Sequence, residues 1–229
     1  MEKICYICGK VNNIDNSEYD NTDSIFADDE GNSYINSLWD IKLEKCENCG
    51  FSYPDITYGN NKLSKYVYDN EYIQIRNNDA LNTIEKLTNI QYMQYFLYGY
   101  ICERQGNLHK ASLTYYKGLK ILSQALSKFR DTHIDINRKT TDESLMQKYK
   151  YCEIFFSDMF KVMMDLAKEA TDLNKYNFNC WIFMALIDCR LKQKTKVYKI
   201  LDYINDNIEL TPTQNKAVQY IERITQYLS

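Results

Sequence analysis

The chain has 229 residues, 45% of them hydrophobic and 26% charged, with a net charge of -3 at pH 7. That balance describes an ordinary soluble globular protein with length enough for a sizeable core, and no apolar run approaches the ~20 residues of a membrane span. Only 2 Pro and 7 Gly favour long helices over a turn-rich β fold; the 21 Tyr are read as codon bias rather than as a tyrosine surface.

The chain begins Met1-Glu2-Lys3-Ile4-Cys5 and soon runs into Asn and Asp, without the apolar core of a signal peptide. A cytoplasmic location is therefore expected. Cys5-x2-Cys8-Gly9 and Cys46-x2-Cys49-Gly50 each have the form of a zinc knuckle. Two thiolates share one side of a tight turn, and the following glycine can take the positive φ that turns backbone N–H groups toward sulfur. Two knuckles complete a shell of four thiolates, a soft tetrahedral set that suits Zn2+. The expected metal ligands are Cys5, Cys8, Cys46 and Cys49, holding one structural Zn2+ per chain. Other readings fit less well. A redox pair needs a helix start behind it, disulfides need an oxidising compartment, and a catalytic zinc keeps an open position.

Residues 1–60 carry four lysines against twelve acids, a balance of -8, so the remainder is net +5. An acidic ribbon repels a phosphate backbone, which makes nucleic acid an unlikely partner for it. Asp15, Glu18, Asp20, Asp23, Asp28, Asp29 and Glu30 cluster between the knuckles. They lack EF-hand offsets and read as a solvated loop. Residues 34–44 partly alternate, with Trp39, Ile41 and Leu43 on one face, and predict a strand leading to Cys46. Ile4, Tyr6, Trp39 and Phe51 are candidates for a small apolar cluster beside the metal. A domain this small, residues 1–58, is expected to need its metal to fold.

From residue 59 to 229 the pattern is helical. The predicted segments are 63–75, 79–87 (capped by Asp79), 89–105, 108–130, 142–171, 177–191, 194–206 and 213–228, with a loop at 131–141. Tyr95-x2-Tyr98-Gly99-x2-Cys102, Gly106 in a turn, and Ala111-x3-Tyr115-x2-Gly118 resemble a tetratricopeptide repeat (TPR). Gly99 and Ala111 would be the small residues where two antiparallel helices touch. Trp181-x2-Met184-Ala185 and Val197-x3-Leu201 repeat the arrangement, with Asp188 in place of an aromatic and no glycine in the turn near Lys192. The fold class expected is mainly α: a TPR-like antiparallel helical array behind a small N-terminal β zinc ribbon. The repeat implies that Met93, Phe96, Tyr100, Ile182 and Leu186 lie on the inner face. That apolar strip is either filled by another part of the chain, the 63–75 or 142–171 helix, or is the binding site for a protein or peptide partner.

Cys102, Cys152, Cys180 and Cys189 fall on apolar stripes and read as core. His109 and His133 have no neighbouring nucleophile, and no catalytic constellation is present, so no enzymatic activity is expected. Arg190, Lys192, Lys194, Lys196 and Lys199 form a basic run around a helix turn. They support the alternative of a nucleic-acid-associated regulator using residues 190–199.

The order of these elements resembles an uncharacterised bacterial domain-of-unknown-function family. Its members have a Cys-x2-Cys-Gly start, a long insert, a segment like Asn-Pro-Leu-Tyr-Tyr-x-Val-x-Val-Cys-x2-Cys-Gly-Tyr, and TPR-like helices. The matching stretch here runs from Asn36-Ser37-Leu38-Trp39-Asp40 to Cys46-Glu47-Asn48-Cys49-Gly50-Phe51. Ser37, Asp40 and Phe51 depart from the pattern, and Asn36 to Cys46 is one residue longer. The resemblance implies the same architecture and zinc; the family has no agreed activity to carry over. The expected function is a non-catalytic, zinc-containing adaptor of the bacterial cytoplasm.

Overall fold

Four short strands and nine helices make up the described residues, which in the computed structural model are 1–14, 42–133 and 143–228. Strands β1 (Glu2–Ile4) and β2 (Val11–Asn13) pair antiparallel around the first knuckle, and β3 (Glu44–Lys45) and β4 (Ser52–Tyr53) pair around the second. Each hairpin is therefore the frame of one Cys-x2-Cys turn. The strand expected over 34–44 falls mostly on residues 15–41, outside the described residues, together with Trp39, Ile41 and the acidic cluster. The expected loop also lies mostly outside them.

The helical part begins with three short helices, α1 (Asn61–Val67), α2 (Asn70–Arg76) and α3 (Asp79–Thr88). The single helix expected over 63–75 is broken at Tyr68-Asp69. The Asp69 side chain accepts from the Glu71 N–H and starts α2, competing with the backbone as short acidic residues do at N-caps. The cap of α3 is Asn78, one residue before the Asp79 expected there. Asn89 (φ 55°) ends α3 in the left-handed region, so the next helix, α4 (Met93–Arg104), starts four residues later than the periodicity predicts. Its N-cap residue, Tyr92, makes no side-chain cap. Glu85 of α3 supplies the cap instead: one carboxylate oxygen accepts from the N–H groups of Tyr92 and Met93, both at 2.7 Å.

Helices α5 (Leu108–His133), α6 (Glu143–Leu173), α7 (Phe178–Arg190), α8 (Lys194–Asn207) and α9 (Pro212–Gln226) follow. Helix α5 runs three residues past its expected end and so takes in His133. Each helix from α4 to α8 packs on the next, α9 packs on both α7 and α8, and α1 to α3 lie against α4. The protein is thus mainly helical with a small N-terminal β region. Two turns show the same backbone solution. After α4, Gly106 (φ 78°) is left-handed, and Asn107 N–H donates back to the Cys102 carbonyl at 2.9 Å. After α7, Lys192 (φ 57°) is left-handed, and Gln193 N–H donates to the Asp188 carbonyl at 2.8 Å. Both are helix-ending turns of the Schellman kind, and the second is built without glycine.

Close packing between α4 and α5 is reciprocal. A Cβ on Gly99 would sit 2.9 Å from the Tyr115 ring, and one on Gly118 would sit 2.7 Å from the Phe96 ring. Phe96 therefore points into the α4–α5 contact rather than onto an open inner face. Every residue from Met93 to Cys102 is buried, as expected of a helix apolar all round. Met93, Phe96, Tyr100 and Ile182 are enclosed and Leu186 is half-buried. Tyr100 lies edge-on to Tyr72 of α2, their ring centroids 5.9 Å apart, so the 61–76 stretch covers that part of the strip. Helices α6, α8 and α9 pack on α7. Of the two alternatives, the burial of Met93, Phe96, Tyr100 and Ile182 fits a strip filled by the chain itself rather than a partner-binding surface, with Leu186 the one member partly open. Cys102, Cys180 and Cys189 are buried as expected.

Candidate metal centre

The two knuckles fold by the same hydrogen bonds. Gly9 N–H donates to the Cys5 carbonyl at 2.9 Å and Cys5 N–H to the Lys10 carbonyl at 2.9 Å. In the second, Gly50 N–H donates to the Cys46 carbonyl at 2.8 Å and Cys46 N–H to the Phe51 carbonyl at 2.8 Å. Gly9 (φ 67°) and Gly50 (φ 76°) are both left-handed, the conformation expected of them.

The turns face each other and bring Cys5, Cys8, Cys46 and Cys49 together, with their four sulfurs within 4.8 Å of one another. Cys5 Sγ lies 3.7 Å from Cys49 Sγ, and Cys8 Sγ 3.6 Å from Cys46 Sγ. A disulfide would need about 2.05 Å. Metal–sulfur bonds of about 2.3 Å at tetrahedral angles place sulfurs roughly 3.8 Å apart. The four cysteines lie close enough to hold a metal ion, and their donor set fits a soft divalent cation. Cys5, Cys46 and Cys49 are buried and Cys8 is half-exposed.

The electrostatics follow from burial and crowding. Burial pushes the Cys5 thiol up to about 11 against the N–H groups of Cys8 and Ile7, which act to lower it. Cys49 is also raised, first by burial and then by the neighbouring Cys5 and Cys46 sulfurs. At Cys46 burial acts upward too, but the N–H groups of Cys49 and Asn48, with the Cys49 and Cys8 thiols, outweigh it and bring the group down to about 7. Four sulfurs this close repel one another as thiolates unless a cation neutralises them.

Phe51 is fully buried beside the site, whereas Ile4 (61% exposed) and Tyr6 (40%) are not part of an enclosed cluster. Ile4 lies on the outer side of a hairpin too short to bury both faces. Tyr6 instead lies against Gly59, where an added Cβ would come within 2.4 Å of its ring. Asn12 joins the two turns: its amide donates to the Lys10 carbonyl and its oxygen accepts from the Glu47 N–H, both at 2.9 Å.

The helices hold the second knuckle by contacts that no local motif announces. The buried Tyr72 hydroxyl of α2 donates to the Gly50 carbonyl at 2.8 Å and accepts from the Ser52 N–H at 3.2 Å. The Arg76 guanidinium donates to the Cys49 carbonyl at 2.9 Å. Lys45, next to Cys46, pairs at 3.1 Å with the second carboxylate oxygen of Glu85, the residue that caps α4. Tyr53 lies edge-on to Tyr98 of α4, the centroids 5.4 Å apart. Described residues on both sides of residue 58 consequently share one apolar core. Tyr72→Phe leaves the buried Ser52 N–H unpaired and the Gly50 carbonyl with the Ser52 hydroxyl alone, and is expected to cost about 1–3 kcal/mol of stability. Urea denaturation would measure it, and an unchanged midpoint would refute the assignment of Tyr72 as an anchor.

The remaining candidates do not converge on this site. His109 is exposed on α5 and bonded through Nδ1 to the Asn174 amide at 3.1 Å. The basic run sits at the α7–α8 turn, and the side chains of Cys152 and His133 are not among those described. Among the described residues no helix is long and apolar enough to cross a membrane. Comparison with family models, with curated proteins and with solved structures gives no match.

Proposed function

We propose that this chain is a non-catalytic, zinc-containing protein-interaction scaffold of the bacterial cytoplasm, a four-cysteine zinc ribbon fused to a TPR-like helical array. The observation that carries the reading is the convergence of Cys5, Cys8, Cys46 and Cys49 at near-tetrahedral spacing. Four thiolates fill the shell of a Zn2+ ion, so the metal would brace the fold and leave no position for substrate. The TPR-like part is supported by the matching turns at Gly106 and Lys192 and by the Gly99–Tyr115 and Gly118–Phe96 contacts. With the inner strip enclosed, a protein or peptide partner meets the outer surface of the array.

Elemental analysis of protein purified from its own cells is expected to find one zinc per chain. Finding none would remove the zinc reading. In-cell cross-linking followed by mass spectrometry tests the scaffold role, which falls if no protein partner is recovered. One observation favours the alternative, a nucleic-acid-associated regulator. Arg130 of α5 lies close enough to the exposed Arg190 to act on its charge, so α5 extends the basic run at 190–199. RNA or DNA binding that collapses as salt rises would favour that reading.

A further inference from the structure

The two halves of the metal centre are anchored unequally. Among the described residues, hydrogen bonds and ion pairs leaving the first hairpin end at residues 44–61: Tyr6 N–H on the Ile56 carbonyl, Tyr6 hydroxyl on Asn61, Lys3 with Glu44 and Asp55, and Asn12 on Glu47. The second knuckle is instead fixed to α2 and α3 through Tyr72, Arg76 and the Lys45–Glu85 pair. The glycines show the same contrast. A Cβ on Gly9 would meet nothing within 4 Å, whereas one on Gly50 would fall 2.4 Å from the Arg76 side chain. Hydrophobic support is unequal as well: Cys46, Phe51 and Ser52 are fully buried, while Ile4 and Val11 on the first hairpin are more than half exposed.

We infer that the helical body prebuilds the Cys46–Cys49 half of the site, and that metal closes the residue 1–14 hairpin onto it as a clasp. This rests on the metal reading above and adds an order to it. Without metal, the second knuckle keeps its shape because its bonds to Tyr72, Arg76 and Glu85 remain when those from Asn12 and Lys3 are lost. The first hairpin loses the sulfur contacts that join Cys5 to Cys49 and Cys8 to Cys46. Metal would thus control a local opening at the N-terminus, one surface segment with its own low opening free energy, rather than the folding of residues 1–58 as a block.

The test uses the full chain, loaded with zinc and then stripped with a chelator, the metal content being measured in both states. Hydrogen exchange and iodoacetamide labelling are read by mass spectrometry. On stripping, amides of residues 2–13 should exchange roughly tenfold faster or more, and Cys5 and Cys8 should label first. Amides of 50–53 should stay protected, with Cys46 and Cys49 slow to label. In Tyr72→Phe the two halves should open together. Equal loss of protection in both wild-type halves, or no change in either, would overturn the clasp. A chain that takes up no zinc fails the metal reading itself, a result the metal measurement records separately and that overturns the clasp with it.

Discussion

Cys46→Ser is expected to empty the metal centre. Cys46 is completely buried, and against that burial two N–H groups with two neighbouring thiols bring its thiol down to about 7, which favours the thiolate form that a metal needs. Serine offers a far poorer ligand in the same space. Loss of a mere outer partner of a metal ligand already weakens binding by about 10–100-fold. Replacing the ligand itself should exceed ~100-fold, taking zinc content from one per chain to near zero. Competition with a chromophoric chelator measures the affinity. Full retention of zinc by the variant would show that the metal is held elsewhere.

Phe96→Ala should produce the largest loss of stability in the helical part. Phe96 is completely buried, its ring against Gly118 and 6.0 Å from the Tyr92 ring centroid. Gly118 has no side chain to move into the space, so the cavity stays open and the cost should be about 3–5 kcal/mol. For a chain of this size each kcal/mol lowers the melting temperature by about 2–4 °C, which calorimetry resolves easily. A variant with unchanged melting temperature that no longer captures a partner would make Phe96 a binding residue after all.

The clustering of the four cysteines was legible because its information is local. Cys5 to Gly9 and Cys46 to Gly50 each contain the turn, both ligands and the left-handed glycine, and thiolate chemistry supplies the rest. Its supports were not legible. Tyr72, Arg76 and Glu85 act across 22 to 40 residues of chain, and nothing in their own neighbourhoods marks them as anchors. The break in the first predicted helix did have a signal: Asp69 followed by an acidic Glu71 in the next turn. Apolar spacing that continued past it concealed the cap. The repeat pattern put Gly99 and Ala111 at the α4–α5 contact; Gly99 does face α5, where the Tyr115 ring is its nearest neighbour, but the pattern misplaced Phe96. A repeat motif says which residues touch its partner helix, not what else covers the remaining face. The second turn was placed near Lys192, but its left-handed residue was not foreseen because lysine occupies the position where glycine is usual.

The anchors of the second knuckle all lie C-terminal to it, and synthesis runs the other way. When Cys49 has been added, Arg76 is still 27 residues from being made, which at about 5–20 residues per second is on the order of one to five seconds. During that interval all four cysteines exist in the nascent chain before the helices that shape half of their site. Metal delivered early would meet a flexible set of thiols, and metal delivered late would meet a half-built one. On the zinc reading proposed above, the timing of zinc supply relative to translation becomes a physical variable in how this protein matures.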